Sequence, residues 1–262
     1  MTLRIGLVTD IHCGPDMDTR LGSRAMPLLE RFGQEMVDRF RPDLIVDLGD
    51  RINDVDPQGD RGRIRQVKKR LEGIGVPVLY LYGNHDLINV PAAEQRDLLG
   101  KQGDYESVDV GGVHLILLNS QDPTFEGVGG TLSATQLQWL EADLAAGTGP
   151  VVVFCHHSLD EQDGSAHWYF KTHPLHALAV NRERARALFA RSGRVRAVFS
   201  GHMHWNHMEV IEGIPYLTVA SLVDCSFTEG QPAGAFSEVL LAEGGRVEVT
   251  VRGGLPMSFT YP

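Results

Sequence analysis

Five short apolar segments, each followed at once by polar residues, constrain the fold of this chain more than any other feature. The segments are residues 3–8, 44–48, 78–82, 151–155 and 195–199. Their length and composition are typical of strands that are buried in a sheet. Ligands of open α/β sheets bind outside the carboxyl ends of the strands. We therefore predict that the five strands deliver aspartate, asparagine and histidine side chains to one edge.

Amphipathic segments between these strands predict helices. Residues 28–40 repeat apolar side chains at helical spacing and stop before Pro42. Ser133 and Gln136 have the spacing of a capping box at the start of a second helix, and a third helix is predicted to stop at Gly193.

Strand and helix alternate in the first half of the chain, which predicts parallel strands with helical crossovers. Residues 113–118 and the region beyond residue 209 instead resemble closely spaced antiparallel strands. This mixture predicts an α/β fold with two mixed sheets and outer helices, in one domain comprising residues 1–262. Three segments without periodicity are predicted to be loops: 53–63, 122–131 and 158–180.

Composition narrows the class of function and the compartment. A formal net charge of −10 argues against a groove for extended nucleic acid, which would be strongly basic. No apolar stretch approaches the roughly 20 residues of a membrane span, and the first residues lack the pattern of an export signal. Three widely spaced cysteines fit a reducing compartment. We therefore expect a cytoplasmic protein without a membrane partner.

The polar residues after the five apolar segments form a donor set suited to two divalent cations. The proposed metal ligands are Asp10, His12, Asp50, Asn84, His156, His202 and His204. Carboxylate, amide and imidazole donors without thiolate favour Mn, Fe or Zn, and also Co. Two cations about 3.5–4 Å apart can activate water for attack on a phosphoester. The set predicts a dinuclear metal-dependent phosphoester hydrolase.

The motifs and their order resemble those of the calcineurin-like metallophosphoesterase superfamily, from residue 3 to about residue 220. The resemblance implies a four-layer α/β/β/α sandwich and favours His156 over the adjacent His157 as a ligand. It implies the following ligand sets: Asp10, His12 and His204 for one cation, Asn84, His156 and His202 for the other, and Asp50 as a bridge between them.

His85 and Asp86, which follow the ligand Asn84, are the predicted catalytic residues. The resemblance places His85 beside the cations, where it could bind a phosphoryl oxygen or protonate the leaving alkoxide. Such acid–base catalysis contributes about 10²–10⁴ in rate. Asp86 is expected to orient the imidazole. The alternative for His85 is that it only shapes the turn.

Three further residues are predicted to contact the substrate: Arg51, Trp168 and His207. Arg51 follows Asp50 and could reach a phosphoryl oxygen. Trp168 lies in segment 158–180, a predicted substrate cap, where its ring could stack on a nucleobase with about 1–3 kcal/mol. Alternatively, this segment packs onto the domain or onto the partner subunit of a homo-oligomer.

The resemblance is closest to the branch of phosphodiesterases that includes cyclic-nucleotide phosphodiesterases, glycerophosphodiesterases and manganese-dependent ADP-ribose or CDP-alcohol diphosphatases. It implies in-line attack of a metal-bridging hydroxide on a small-molecule, nucleotide-derived phosphodiester. A monoester dianion needs additional cationic groups, and no cluster of arginines lies beside the motifs. Two alternatives stay open, namely a phosphomonoesterase with the same metals, protein phosphatases included, and a non-catalytic scaffold that retains the fold.

Overall fold

Two six-stranded mixed sheets lie face to face in the computed structural model, which describes residues 2–242 and 245–262. The strands of the first sheet, in order across it, are β14 (Met257–Tyr261), β13 (Val247–Arg252), β12 (Phe236–Leu241), β1 (Leu3–Val8), β2 (Leu44–Asp47) and β3 (Val78–Tyr80). Those of the second are β10 (His207–Ile211), β11 (Ile214–Thr218), β9 (Val195–Ser200), β8 (Val151–Cys155), β5 (Val113–Leu118) and β4 (Glu106–Val110). A separate two-stranded ladder pairs β6 (Gln121–Asp122) with β7 (Thr131–Leu132).

Strand pairing follows the alternation of strand and helix in the sequence. Strands β1, β2 and β3 are parallel to one another, as predicted for the first half of the chain. Beyond residue 209, β10 pairs with β11, and β12, β13 and β14 pair with one another, antiparallel as predicted. Strand β11 departs from the prediction because it is also parallel to β9. The prediction for residues 113–118 was only half correct, because β5 is antiparallel to β4 but parallel to β8.

The helices cover the outer faces of the sheets. They are α1 (Ala25–Glu35), α2 (Pro57–Glu72), α3 (Ala92–Leu99), α4 (Ala134–Ala146) and α5 (Arg182–Ser192), with a π-helical turn at Met36–Phe40 and short 3₁₀ turns at Gly22–Arg24, His85–Leu87 and Pro174–His176. The predicted helix over residues 28–40 corresponds to α1 and its π turn. Helix α5 ends at Gly193, whose left-handed backbone caps it as predicted.

Three apolar layers confirm the four-layer α/β/β/α arrangement. Alternate residues of each strand point to opposite faces. In β8, Val152 and Phe154 pack between the two sheets, whereas Val151 and Val153 pack against α4 and α5. A third layer lies between the first sheet and helices α1 to α3.

The prediction that residues 53–63 form a loop was wrong, because α2 begins at Pro57. Asp56 is the N-cap: its Oδ1 accepts hydrogen bonds from the backbone N–H groups of Gln58 and Gly59 at 3.1 and 2.8 Å. Pro57 at the first helical position loses no hydrogen bond there. The helix is held on the sheet by buried apolar residues at helical spacing: Ile64, Val67 and Leu71.

Only half of the predicted capping box forms at the start of α4. Ser133 Oγ accepts the backbone N–H of Gln136 at 3.1 Å. The Gln136 side chain instead exchanges two hydrogen bonds with the backbone of Asn119, at 2.8 and 2.9 Å. It therefore joins α4 to the end of β5 rather than completing its own cap.

His114 on β5 joins the sheet to α4 far from the predicted site. Its Nδ1 lies 2.8 Å from an oxygen of Asp109, and its Nε2 lies 2.8 Å from an oxygen of Asp143. Burial acts to lower the pKa of His114, but the hydrogen bonds and charges of the two aspartates outweigh it and raise the pKa.

The predicted polar residues meet at the carboxyl ends of strands from both sheets. Strands β1, β2 and β3 deliver the first groups and belong to the first sheet, whereas β8 and β9 belong to the second. The expectation of one sheet edge is therefore corrected to a seam between two sheets. None of the helices in residues 2–242 and 245–262 has both the length and the hydrophobicity that crossing a membrane requires.

Candidate metal centre

Side chains of the predicted ligands converge at this seam. The Nε2 atoms of His12 and His204 are 3.2 Å apart, and His204 Nε2 lies 3.3 Å from Asp10 Oδ1. Asp50 Oδ2 lies between two histidines, 3.8 Å from His12 Nε2 and 3.4 Å from His156 Nε2. Asp10, Asp50 and His156 place one donor atom each within a few ångströms of one another, as do Asp10, His12 and His204. Asp50 therefore stands between two clusters of donors.

Hydrogen bonds at the back of the site direct free lone pairs toward its centre. His156 Nδ1 donates to the Leu48 carbonyl at 3.0 Å, and His202 Nε2 donates to the His176 carbonyl at 2.9 Å. Each bond leaves the opposite ring nitrogen as an acceptor or ligand. His156 Nε2 and Asn84 Oδ1 are buried and have no hydrogen-bond partner among the described residues. Unpartnered buried polar atoms are rare and suit groups that bind a cation.

The adjacent histidine, His157, is already occupied on both sides of its ring. Its Nε2 donates to the Val128 carbonyl at 2.8 Å, and its Nδ1 lies 2.9 Å from the Ser120 hydroxyl. Burial lowers its pKa to about 3, with the neighbouring His156 acting in the same direction. A neutral ring with both nitrogens engaged has no free lone pair, which favours His156 as the ligand.

The backbone around the site adopts conformations that are rare for residues other than glycine. The residues concerned are Asp10 (φ 49°), His12 (φ 43°), Asp50 (φ 55°), His202 (φ 65°) and His204 (φ 65°). Left-handed backbone at non-glycine residues costs on the order of 1–3 kcal/mol and clusters at functional sites. Five such residues at one seam therefore support a functional role for it.

Gly83 allows the loops after β2 and β3 to touch. A Cβ atom on Gly83 would lie 2.0 Å from Asp50 Oδ1, so a larger residue would push that carboxylate away. The same Oδ1 accepts the backbone N–H of His85 at 2.9 Å. These two contacts fix Asp50 beside Asn84, which stands between Gly83 and His85 in the sequence.

The carboxylates make the seam attractive to positive charge. Burial alone would lower the pKa of His204, but Asp10 and Asp224 outweigh it and raise the pKa to about 10. Burial is likewise outweighed at His156, whose pKa rises to about 9 beside Asp50. His156 in turn holds the pKa of Asp50 well below its usual range, against the opposing effect of burial. Divalent cations compete with protons for such nitrogens.

His85 lines the cleft in front of these donors and is oriented by a residue that the sequence did not indicate. Its Nδ1 is hydrogen-bonded to Asp54 Oδ1, and its Nε2 lies 2.8 Å from a guanidinium nitrogen of Arg20. The expectation that Asp86 orients His85 is therefore wrong. The orienting carboxylate is Asp54.

Asp86 lies behind the site, where it pairs with Arg51. The fully buried guanidinium of Arg51 lies 2.8 Å from Asp86 Oδ2 and 2.6 Å from Asp47 Oδ2. Asp86 also accepts the backbone N–H groups of Asp50, Arg51 and Gly83, each at 2.9 Å. The expectation that Arg51 reaches a phosphoryl oxygen is corrected, because two buried carboxylates hold its side chain away from the cleft.

His207 is also placed differently from the prediction. Its Nδ1 lies 3.0 Å from Asp160 Oδ2, and it does not line the cleft that the metal ligands form. Its position at the start of β10 turns the side chain toward the buried Asp160. The predicted contact of His207 with phosphate is therefore not supported by the structure.

A cleft of about 170 Å³ opens onto the candidate ligands Asp50, Asn84, His202 and His204. Segments 18–20 and 167–170 contribute most of the remaining lining. Trp168 is part of this lining and is 55% exposed, so its ring is accessible to a molecule in the cleft. The cleft thus combines polar donors with an aromatic surface from segment 158–180.

Sequence reasoning missed three residues at the site: Arg20, Asp54 and Asp224. His167 lies in the predicted substrate cap, segment 158–180, but was not itself predicted to contact the substrate. Asp224 Oδ2 is 2.9 Å from His204 Nδ1 and accepts the Thr19 hydroxyl at 2.7 Å. Arg20 is held by reciprocal backbone hydrogen bonds with Met17, at 3.0 and 2.8 Å. None of the three belongs to a predicted ligand motif, so their only sequence signal is a polar side chain in an irregular segment.

Comparisons with known proteins place this geometry in context. A family model described as Calcineurin-like phosphoesterase matches residues 3–206. Serine/threonine-protein phosphatase CPPED1 of Pongo abelii is 30% identical over 179 residues, covering 64% of this chain and 54% of the phosphatase. The chain thus spans little more than half the length of that relative.

A second relative has a different described activity. The cAMP/cGMP dual specificity phosphodiesterase of Mycobacterium tuberculosis is 28% identical over 213 residues, covering 79% of this chain and 60% of the phosphodiesterase. A solved structure described as a dimetal phosphatase from Danio rerio aligns over 99% of both chains with a TM-score of 0.79 and 18% identity. At that identity the likeness concerns the fold.

Proposed function

Because this chain belongs to the calcineurin-like phosphoesterase family, as its motif order predicted, we propose that it is a dinuclear metal-dependent phosphodiesterase. The observation that carries the proposal is the convergence of buried nitrogen and oxygen donors around Asp50, among them the unpartnered Asn84 Oδ1 and His156 Nε2. In this proposal residues 1–262 form one catalytic domain and residues 158–180 form its substrate cap.

The donor geometry fits two cations with Asp50 between them. The proposed ligands are Asp10, His12 and His204 for one cation, Asn84, His156 and His202 for the other, and Asp50 for both. When bound, two divalent cations such as Mn, Fe or Zn supply Lewis-acid activation of the phosphoryl group and of water.

Residues of the chain itself bind and orient the phosphoryl group. Arg20 and His85 both line the cleft, and the Arg20 guanidinium is the charged donor nearest to His85 Nε2. We assign Arg20 to the phosphoryl oxygens, since charge-assisted bonds from a guanidinium are strong and directional. Asp54 fixes the ring of His85. We assign His85 to the leaving oxygen as its proton donor, a role in which Arg20 turns from Nε2 to the phosphoryl group and Nε2 takes up the proton that it then gives to the leaving oxygen.

A diester fits the charge of this cleft better than a monoester. Among the described residues that line the cleft, Arg20 is the one with a permanent positive charge. A diester monoanion needs fewer cationic partners than a monoester dianion. The exposed ring of Trp168 also offers a surface for an organic leaving group or a nucleoside.

A phosphomonoesterase is the second candidate, and the 30% identity to a protein described as a serine/threonine phosphatase favours it. A non-catalytic scaffold is less consistent with the site, because every predicted donor position is occupied by a residue able to bind a metal.

The test compares hydrolysis of bis(p-nitrophenyl) phosphate with that of p-nitrophenyl phosphate, using protein stripped of metal and then reloaded with Mn²⁺, Zn²⁺ or Fe²⁺. We expect metal-dependent cleavage mainly of the diester. The Asn84→Ala variant should lose metal and activity, whereas the matched Asn89→Ala variant, outside the cleft, should keep both. Preference for the monoester would establish the phosphatase instead, and inactivity of every metal-loaded sample would contradict both.

A further inference from the structure

His167 is a buried histidine whose hydrogen-bonding groups are unused. It belongs to segment 158–180, is 7% exposed, and neither of its ring nitrogens has a partner among the described residues. Its surroundings are aromatic, with ring centroids of Phe170, Trp168 and Trp205 at 4.9, 5.7 and 5.7 Å. A buried polar group without a partner is costly and calls for one.

The cleft is where that partner can enter. His167 lines it together with Trp168, Tyr169 and Phe170, and the same cleft is lined by the candidate ligands His202 and His204. A molecule that reaches from these ligands into the rest of the cleft would therefore pass His167. Packing alone does not account for an imidazole at this position, because a phenylalanine would fill an aromatic pocket without leaving polar atoms unpaired.

We propose that His167 is a specificity-determining residue that hydrogen-bonds a neutral polar group of the substrate, next to the phosphate, of the kind that a nucleoside carries on its sugar or base. The inference rests on the proposed phosphodiesterase function and names its substrate class. A nucleoside fits the side of the cleft formed by residues 167–170. Its base can stack on Trp168 while a hydroxyl or ring N–H pairs with the imidazole of His167.

The charge state of His167 favours a neutral partner group over an anion. Burial lowers the pKa of His167 to about 4. The ring is therefore neutral near pH 7 and offers one donor and one acceptor. Arg20, by contrast, carries the charge that an anionic phosphoryl group requires.

Two esters with the same leaving group test this role: thymidine 5′-(p-nitrophenyl phosphate) and methyl p-nitrophenyl phosphate. In His167→Phe, which keeps a ring in the pocket, we expect kcat/KM for the thymidine ester to fall about 10-fold while that for the methyl ester changes less than about 3-fold. His167→Gln, which retains a donor and an acceptor, should recover part of the loss. A merely structural role would lower both rates together.

A control and a binding measurement complete the test. His173 is an exposed histidine of the same segment, stacked on Tyr169 at 4.6 Å, so His173→Phe keeps that stacking and should behave as wild type. Calorimetry with thymidine 5′-monophosphate should give a Kd raised about 10-fold in His167→Phe and unchanged in His173→Phe.

The outcomes separate this inference from the function on which it rests. Cleavage of both esters with an unchanged ratio in the His167→Phe and His167→Gln variants would refute the role of His167 and leave the phosphodiesterase intact. Cleavage of neither ester by metal-loaded wild-type protein would refute the proposed function, and the inference with it.

Discussion

Replacing Asp86 with asparagine should destabilise the metal-free protein as well as inactivate it. The carboxylate of Asp86 receives three backbone N–H groups and the Arg51 guanidinium, divided between its two oxygens. These bonds join the loop after β2, which carries Asp50, to the loop after β3, which carries Asn84. An amide at this position must turn its NH₂ toward at least one of these donors.

The cost follows from these contacts. A buried donor left without an acceptor costs about 1–3 kcal/mol. Removing one member of a buried ion pair costs about 3–5 kcal/mol. Asp47 remains 2.6 Å from Arg51 and continues to compensate its charge. We therefore expect Asp86→Asn to lower the free energy of unfolding by about 3 kcal/mol, at the low end of that range. In a chain of this size the midpoint of thermal unfolding should fall by about 6–12 °C.

Urea unfolding of EDTA-treated protein, followed by intrinsic fluorescence, measures this change without a contribution from bound metal. Asp54→Asn is the matched control, because the Asp54 side chain is 22% exposed and pairs with His85 in the cleft. The control should lose activity while its free energy of unfolding changes by less than about 1 kcal/mol. Wild-type stability in Asp86→Asn, together with lost activity, would refute our reasoning and return Asp86 to a catalytic role.

Three further predictions concern other parts of the molecule. Arg20→Ala should lower kcat/KM for phosphoesters about 10–100-fold, with metal content unchanged in elemental analysis. Arg20→Lys should recover only part of the lost activity, because lysine lacks the forked donor geometry of a guanidinium. Loss of metal in Arg20→Ala would contradict the assignment of Arg20 to the phosphoryl oxygens. His156→Ala should lose one cation per chain by mass spectrometry and His157→Ala should keep both, so equal losses would argue against the choice of His156. His114→Gln should lower the free energy of unfolding by about 1 kcal/mol near pH 5. At that pH the wild-type histidine is charged in both the folded and the unfolded state, and its raised folded pKa stabilises the fold. That stabilisation is lost as pH rises through the folded pKa, so a variant that is equally destabilised near pH 9 would disprove it.

The strands and the order of the donors could be predicted because both are local in sequence. A buried strand such as β8 is a continuous apolar run, and the residue after it, His156, necessarily lies at its carboxyl end. The sequence also indicated the parallel strands of the first half and the antiparallel hairpins, because helical crossovers need long connections and hairpins do not. It did not indicate that β5 and β11 each have one parallel and one antiparallel neighbour. It did not indicate that the strand ends come from two sheets, since sheet membership depends on long-range packing.

The errors at the site arose where a side chain's direction matters more than its position. Arg51 directly follows the predicted ligand Asp50, and Asp86 stands two residues after Asn84. Each nevertheless points away from the cleft and toward the other. Arg20 and His167 lie in irregular segments, and tertiary packing alone brings them to the cleft. The start of α2 was detectable, because Asp56 followed by Pro57 is a helix-start signal, but the glycines that follow it favoured a loop.

Because the donors come from both sheets, the separation of the sheets sets the distance between Asp50, after β2, and His156, after β8. That separation is set by the apolar layer between the sheets, to which Leu7 of β1 and Phe154 of β8 both contribute. Preferred ligand distances differ among cations by only a few tenths of an ångström, about 2.0–2.1 Å for Mg²⁺ against 2.3–2.6 Å for Ca²⁺. A change of side-chain volume in this layer would therefore alter which cation the site prefers. Under the proposed assignment of the ligands, apolar substitutions alone would then shift the preferred cation while every donor residue stays the same.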